Sequence, residues 1–142
     1  MTDTISAAAR RTGGCLCGQV RYSAPAEPLK TAVCHCRDCQ KQAGSALSIL
    51  AVFPRGEVRF EGRISCFHGQ GSSGKAVLRH FCVDCGSPIY SDSDAMAERG
   101  IIAIKAGTLD EVTDLQPTVH YWASSRQAWL PLPDGGVIKS RE

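Results

Sequence analysis

Seven of the eight cysteines in this 142-residue chain fall into three short groups: Cys15 with Cys17, Cys34 with Cys36 and Cys39, and Cys82 with Cys85. Thiols one or two residues apart suit chelation, because their sulfurs need to converge on one ion; disulfides between such close neighbours are strained or belong to redox motifs. "CVDCGS" reads as a zinc knuckle in which Gly86 lets the backbone curl so that amide N–H groups face the sulfurs, and "CLCGQ" is a shorter version with Gly18 in the same role. Each supplies two ligands. Cys15 and Cys17 with Cys82 and Cys85 therefore make a closed set of four thiolates, which leaves Zn2+ a poor Lewis acid and marks that site as structural. A redox reading of "CVDC" is opposed by Gly86 and Pro88, which keep a helix from starting there. An iron-sulfur cluster is a rival that thiolate ligation by itself does not separate from zinc.

"VCHCRDCQ" is then left with three thiols and no partner group. The candidates for a fourth ligand are Cys66, His35, His68 and His80. His35 sits between two ligands and is expected to point away from the ion, Cys66 reads as a small strand residue, and His68 and His80 read as surface or strand-ladder residues. The expectation is an open position. Zinc with three thiolates polarises water less than a three-histidine site does, and a soft ion suits an incoming thiol, whose pKa it lowers. The chemistry implied is thiol addition to an electrophilic carbon, or cleavage of a carbon-sulfur bond.

Positioning these groups falls mostly to strands. "GQVRYSA" and "EVRFEG" alternate apolar and polar residues as half-buried strands do, and "ALSILAVF" is a short apolar run suited to a buried one. "KAVLRHF", "PIYS", "GIIAIKAG" and "PTVHYW" add further strands between Gly, Asp and Pro punctuation. For the middle cysteines the spacing predicts a strand ending near Val33, a loop through His35, and a short helix whose first turn carries Cys39 and lends its N–H groups to the thiolates. "RDCQKQAG" and "SDAMAERG" are the two short helices. The fold expected is mainly β with one or two short helices, as a single domain over residues 13–136 between a flexible leader, residues 1–12, and a tail, residues 137–142.

The composition, 43% hydrophobic and 21% charged, is that of a globular domain, and 6% aromatic residues make a modest core that a metal would help hold. A formal charge of +2 gives no reason to expect nucleic acid, and thiolate ligation of two divalent ions would reverse its sign. The N-terminal stretch has no apolar signal core and no segment is long enough to span a membrane, so a soluble, cytoplasmic protein with its thiols reduced is expected.

"GGCLCGQVRYS", "CHCRDCQKQAGSALS", "RHFCVDCGSPIY" and "HYWASSRQAWLPLPDG", in this order, resemble the glutathione-dependent formaldehyde-activating enzyme (Gfa) family, which also includes a centromere protein V branch. The resemblance spans residues 13–136. It implies a β-tent fold, a structural zinc on Cys15, Cys17, Cys82 and Cys85, and a second, catalytic zinc on Cys34, Cys36 and Cys39, two Zn2+ per chain. It implies a carbon-sulfur lyase type of reaction, glutathione and formaldehyde combining into S-hydroxymethylglutathione. Arg37, Lys41 and Arg126 are the candidate clamps for the carboxylates of glutathione, and Trp122 and Trp129 the candidate pocket walls. The alternative is a zinc-stabilised protein-binding module without activity, which predicts that Cys66 closes the second site; a redox sensor or zinc reservoir is a third reading.

Overall fold

A computed structural model describes residues 10–133 and 135–140. Most of the chain forms two sheets. The smaller is antiparallel, with β1 (Arg11–Gly14) beside β2 (Arg21–Ala24) and β2 beside β5 (Arg59–Glu61). The larger has eight strands: β11 (Val137–Ile138), β10 (Val119–Tyr121), β3 (Lys30–Cys34), β4 (Ser48–Pro54), β9 (Ile101–Lys105), β8 (Pro88–Asp92), β7 (Ala76–Cys82) and β6 (Ile64–Gln70), in that spatial order. Strand β10 runs parallel to its two neighbours and the other pairings are antiparallel.

The central strands carry apolar residues on both faces, one packed in the core and the other lining a cavity. On one face Ala51 and Phe53 of β4, Ile89 of β8, and Ile102 and Ile104 of β9 meet Val20, Tyr22 and Ala24 of the small sheet and its approach, forming the core. On the other face the alternate residues Ala32 and Cys34, Leu50 and Val52, Ala103 and Lys105 line a cavity of about 590 Å3. "ALSILAVF" thus has two jobs, which explains why it shows no clean alternation.

Two short helices complete the described fold. In α1 (Arg37–Ala43) Cys36 is the N-cap, its sulfur accepting from the Cys39 N–H at 3.2 Å, and Gly44 stops the helix at φ +64°, a backbone conformation that favours glycine. In α2 (Asp94–Arg99) the hydroxyl of Ser93 accepts from the Met96 N–H and Gly100 ends the helix. Both coincide with the helices expected from the sequence.

The domain limits differ from expectation at both ends. Arg11 and Thr12, assigned to a leader, belong to β1, where the Arg11 guanidinium donates to Asp114 and to the carbonyls of Ala26 and Glu111. Val137 and Ile138, assigned to a tail, pair with β10. Neither segment carries an apolar alternation that would have disclosed it. Residues 1–9 of the expected leader lie outside the described residues. Among the described residues no helix is long and apolar enough to cross a membrane.

Candidate metal centres and the cavity beside them

The outer cysteines converge as their spacing suggested. Cys15, Cys17, Cys82 and Cys85 place their sulfurs within 4.8 Å of one another, with 3.6 Å between Cys15 and Cys17 and 3.8 Å between Cys17 and Cys82. Four sulfurs about 2.3 Å from a central zinc define a tetrahedron with edges of about 3.8 Å, so the set fits the ion. All eight cysteines are free thiols. The knuckle turns aim backbone N–H groups at the sulfurs: Val20 at Cys15 (3.2 Å), and Asp84 and Cys85 at Cys82 (3.3 and 3.4 Å). Gly86, at φ +77°, makes the second turn possible by donating its N–H to the Cys82 carbonyl. The side-chain amide of Gln19 adds a bond to Cys82 Sγ at 3.0 Å.

The electrostatics of this group also ask for a cation. The Ser87 hydroxyl, with backbone amides, pulls the Cys85 thiol down to about 5. Cys17 is pushed up to about 12: the strongest single influence, the Gln19 backbone amide, favours its thiolate, but burial and the sulfurs of Cys15, Cys85 and Cys82 outweigh it. Some of these sulfurs ionise only while their neighbours stay protonated. A divalent ion removes that conflict.

Cys34, Cys36 and Cys39 likewise lie within 4.8 Å of one another, and among the described residues no fourth His, Cys, Asp or Glu joins them. Cys34 ends β3, Cys36 caps α1, and Cys39 is in its first turn, so strand, loop and helix each contribute one sulfur. Hydrogen bonding to Cys34 and Cys39 pulls the Cys36 thiol far down, and the corresponding bonds to Cys36 and Cys39 push Cys34 far up. The loop between strand and helix is pinned by Gln40, whose Nε2 donates to the carbonyls of His35 (2.7 Å) and Ser125 (3.1 Å), and by the His35 N–H donating to the Tyr121 carbonyl (3.0 Å).

The histidines considered as ligands are elsewhere. His35 is fully buried, with Nε2 at 3.0 Å from Nδ1 of His120 and burial lowering the pKa of both rings. His80 stacks on Tyr90 with ring centroids 4.0 Å apart. Cys66 of β6 lies opposite His80 of β7, whose neighbour Arg79 lines the cavity, so alternation along the strands puts Cys66 on the other face.

The three sulfurs form part of the wall of the 590 Å3 cavity, together with Lys30, Arg37, Arg79, Arg99 and Lys105. Lys105, 7% exposed, donates to Ser48 Oγ at 2.8 Å, and Lys30 donates to the Tyr121 hydroxyl at 2.7 Å. Burial lowers the pKa of Lys105, while the nearby sulfur of Cys39, and more weakly those of Cys34 and Cys36, act to raise it.

Of the expected clamps and walls, Arg37 and Trp122 line this cavity. Lys41 and Trp129 instead flank a separate groove, and Arg126 donates to the Leu130 carbonyl. Lys30, Arg79, Arg99 and Lys105 escaped the sequence reading. A signal existed for two of them: Lys30 is four residues before Cys34 on one strand face, and Lys105 is the lone charge closing the apolar run "IIAIK".

A mainly β architecture carrying two cysteine groups that could each hold a metal ion, one of four and one of three beside a cationic cavity, defines a class of cysteine-rich β protein with room for an anionic ligand. The chain belongs to the glutathione-dependent formaldehyde-activating enzyme family, whose model matches residues 10–125. A crystal structure of a Rhodobacter sphaeroides protein, a Northeast Structural Genomics target, shares the fold with a TM-score of 0.55 at 19% identity, over 72% of this chain and 91% of that one. Comparison with curated proteins gives no match.

Proposed function

We propose that this chain is a zinc-dependent carbon-sulfur lyase acting on thiol adducts of aldehydes, nominally S-hydroxymethylglutathione, in the reducing environment of the cytoplasm. The carrying observation is the set of three converging thiols, without a fourth protein ligand among the described residues, in the wall of a cation-lined cavity. Cys15, Cys17, Cys82 and Cys85 hold a structural zinc, and Cys34, Cys36 and Cys39 hold the second. Zinc with three thiolate ligands supplies a soft open position that favours a thiol in its thiolate form.

The remaining work falls to side chains of the chain itself. Lys105 is fixed by Ser48 and faces the sulfur group, so its ammonium is placed to hold the carbonyl oxygen of the aldehyde and to stabilise negative charge there. Lys30, Arg37 and Arg99 surround the rest of the ligand and match its carboxylates, while Asp38 offers a partner for its ammonium. Tyr121 and Trp122 form part of the wall. Family membership adds the choice of glutathione and formaldehyde as the nominal pair.

Exchange of formaldehyde with glutathione, followed by NMR with and without the zinc-loaded protein, tests this reading. A rate well above the spontaneous one, lost in Cys36→Ser, is expected; no acceleration would refute the substrate pair. Metal content supplies a second check. Cys66→Ser should leave two zinc ions per chain, whereas loss of one would favour a closed second site and the binding-module alternative.

A further inference from the structure

The hairpin of β6 and β7 ends the larger sheet, and among the described residues the outer side of β6 has no strand beside it. The ladder between the two strands runs without a bulge from Ile64 opposite Cys82 to Gln70 opposite Ala76. Its phase is fixed by the bonds that flank it, the Gly71 N–H donating to the Lys75 carbonyl at 2.9 Å and the Val83 N–H donating to the Arg63 carbonyl at 3.4 Å. Odd-numbered residues of β6 therefore turn their backbone groups toward β7, and Ile64, Cys66, His68 and Gln70 turn theirs outward. Among the described residues these outward groups have no backbone partner.

Proteins ordinarily blunt such an edge with charge, proline, a bulge or brevity. The other edges follow that rule: β11 has two residues, β1 begins with Arg11, and β5 carries Arg59 and Glu61. The β6 sequence "ISCFHGQ" has seven residues, none of them charged and none proline. At its centre Phe67 is 62% exposed. The edge is also complementary to itself. When one β6 lies antiparallel to another with Phe67 opposite Phe67, Cys66 faces His68 and Ile64 faces Gln70, so each outward N–H and C=O meets its counterpart. The two Phe67 residues then fall at a non-hydrogen-bonded position, where side chains approach most closely. Charge at the two ends agrees with this register. Arg63 and Asp84 pair with each other and leave Glu61 at the start of the strand, and that end lies beside the other copy's turn, which carries Lys75.

We propose that the outer edge of β6 is a self-association surface, on which a second copy of this chain pairs antiparallel about a dyad at Phe67 and joins the two larger sheets into one. Opposite side chains of paired strands share a face, so the cavities of both copies lie on the same side of the joined sheet. The hairpin supplies Gly71, Ser72, Ser73, Val77 and Arg79 to the cavity wall, and pairing removes the free edge of that wall. Seven residues make a small interface, for which a Kd on the order of 10–100 μM is expected. The proposal is independent of the activity proposed above.

Sedimentation velocity on the zinc-loaded full-length protein, over a series from about 1 μM to about 500 μM, should show a monomer passing into a dimer. Phe67→Lys sets like charges opposite each other across the dyad and should weaken the dimer roughly tenfold or more with zinc content unchanged. Register is tested by cross-linking in a Cys66→Ser background. Opposed residues of a non-hydrogen-bonded pair stand about 4.5 Å apart at Cα, within reach of a disulfide, so Phe67→Cys should form a covalent dimer on exposure to air. Leu29→Cys, at a position 61% exposed in the approach to β3, should stay monomeric under the same conditions. A monomer throughout the series, with the edge left to a different protein or to a segment outside the described residues, would overturn the proposal. So would a dimer indifferent to Phe67→Lys, or cross-linking of Phe67→Cys no faster than that of Leu29→Cys. The wild-type series and the cross-linking are decisive even if Phe67→Lys folds poorly.

Discussion

Lys105 shows how a candidate functional residue hides in a structural pattern. It closes an apolar strand, is 7% exposed, and lacks a carboxylate partner among the described residues, an arrangement that costs stability and to which the proposed function gives a use. Lys105→Met should therefore lower the rate of adduct cleavage by about a hundredfold, the scale of a positioned charge or proton donor, and leave the melting temperature unchanged or higher. Melting curves and single-turnover rates on the same sample check both halves. The cysteines were legible in the sequence because chelation demands close spacing. Lys105 left one trace, as the lone charge closing an apolar run, but its place in the cavity, and Arg79 altogether, were not legible, because a strand residue discloses its cavity partners only once the order of strands is known.

At the scale of elements, the turn after β10 stands out. Trp122 is the single non-glycine with positive φ among the described residues, at φ +54° and ψ +41°. Its turn is held by the Ala123 and Ser124 N–H groups donating to the Lys139 and Ser140 carbonyls. A left-handed backbone costs an L-residue about 1 kcal/mol that glycine avoids. Trp122→Gly should accordingly be about 1 kcal/mol more stable than Trp122→Ala in denaturant unfolding, while both weaken ligand binding because both remove the indole from the cavity wall. Equal stability of the two variants would show that the turn is unstrained. The strand β11, which runs into the residues that hold this turn, has only two residues and no apolar alternation, so sequence pattern could not reveal it. By contrast α1 was readable, since Gly44 and the cysteine spacing both mark its limits.

Across the whole molecule, one sheet separates a core face from a cavity face, and in the proposed function the two cysteine groups serve different ends. Cys82→Ser should remove one zinc and lower stability by at least about 3 kcal/mol, because that group ties the turn after β1 to the turn after β7. Cys36→Ser should remove the other zinc with a much smaller change in melting temperature. Acid acts through another tie: the Arg55 guanidinium holds the Asp92 carboxyl below its ordinary value. A depressed folded-state pKa stabilises above the unfolded carboxylate pKa, and that contribution disappears as pH falls through the folded one. Asp92→Asn should thus flatten the acid limb of stability against pH at constant zinc, with its largest effect at neutral pH and none at the acid extreme. The central claim is that the three-cysteine group keeps a place for a substrate sulfur. X-ray absorption at the zinc edge of the doubly loaded protein measures it directly: the account predicts an average of about 3.5 sulfurs per zinc, rising to about 4 on addition of glutathione. An average of 4 before addition, or no change after it, would contradict the account.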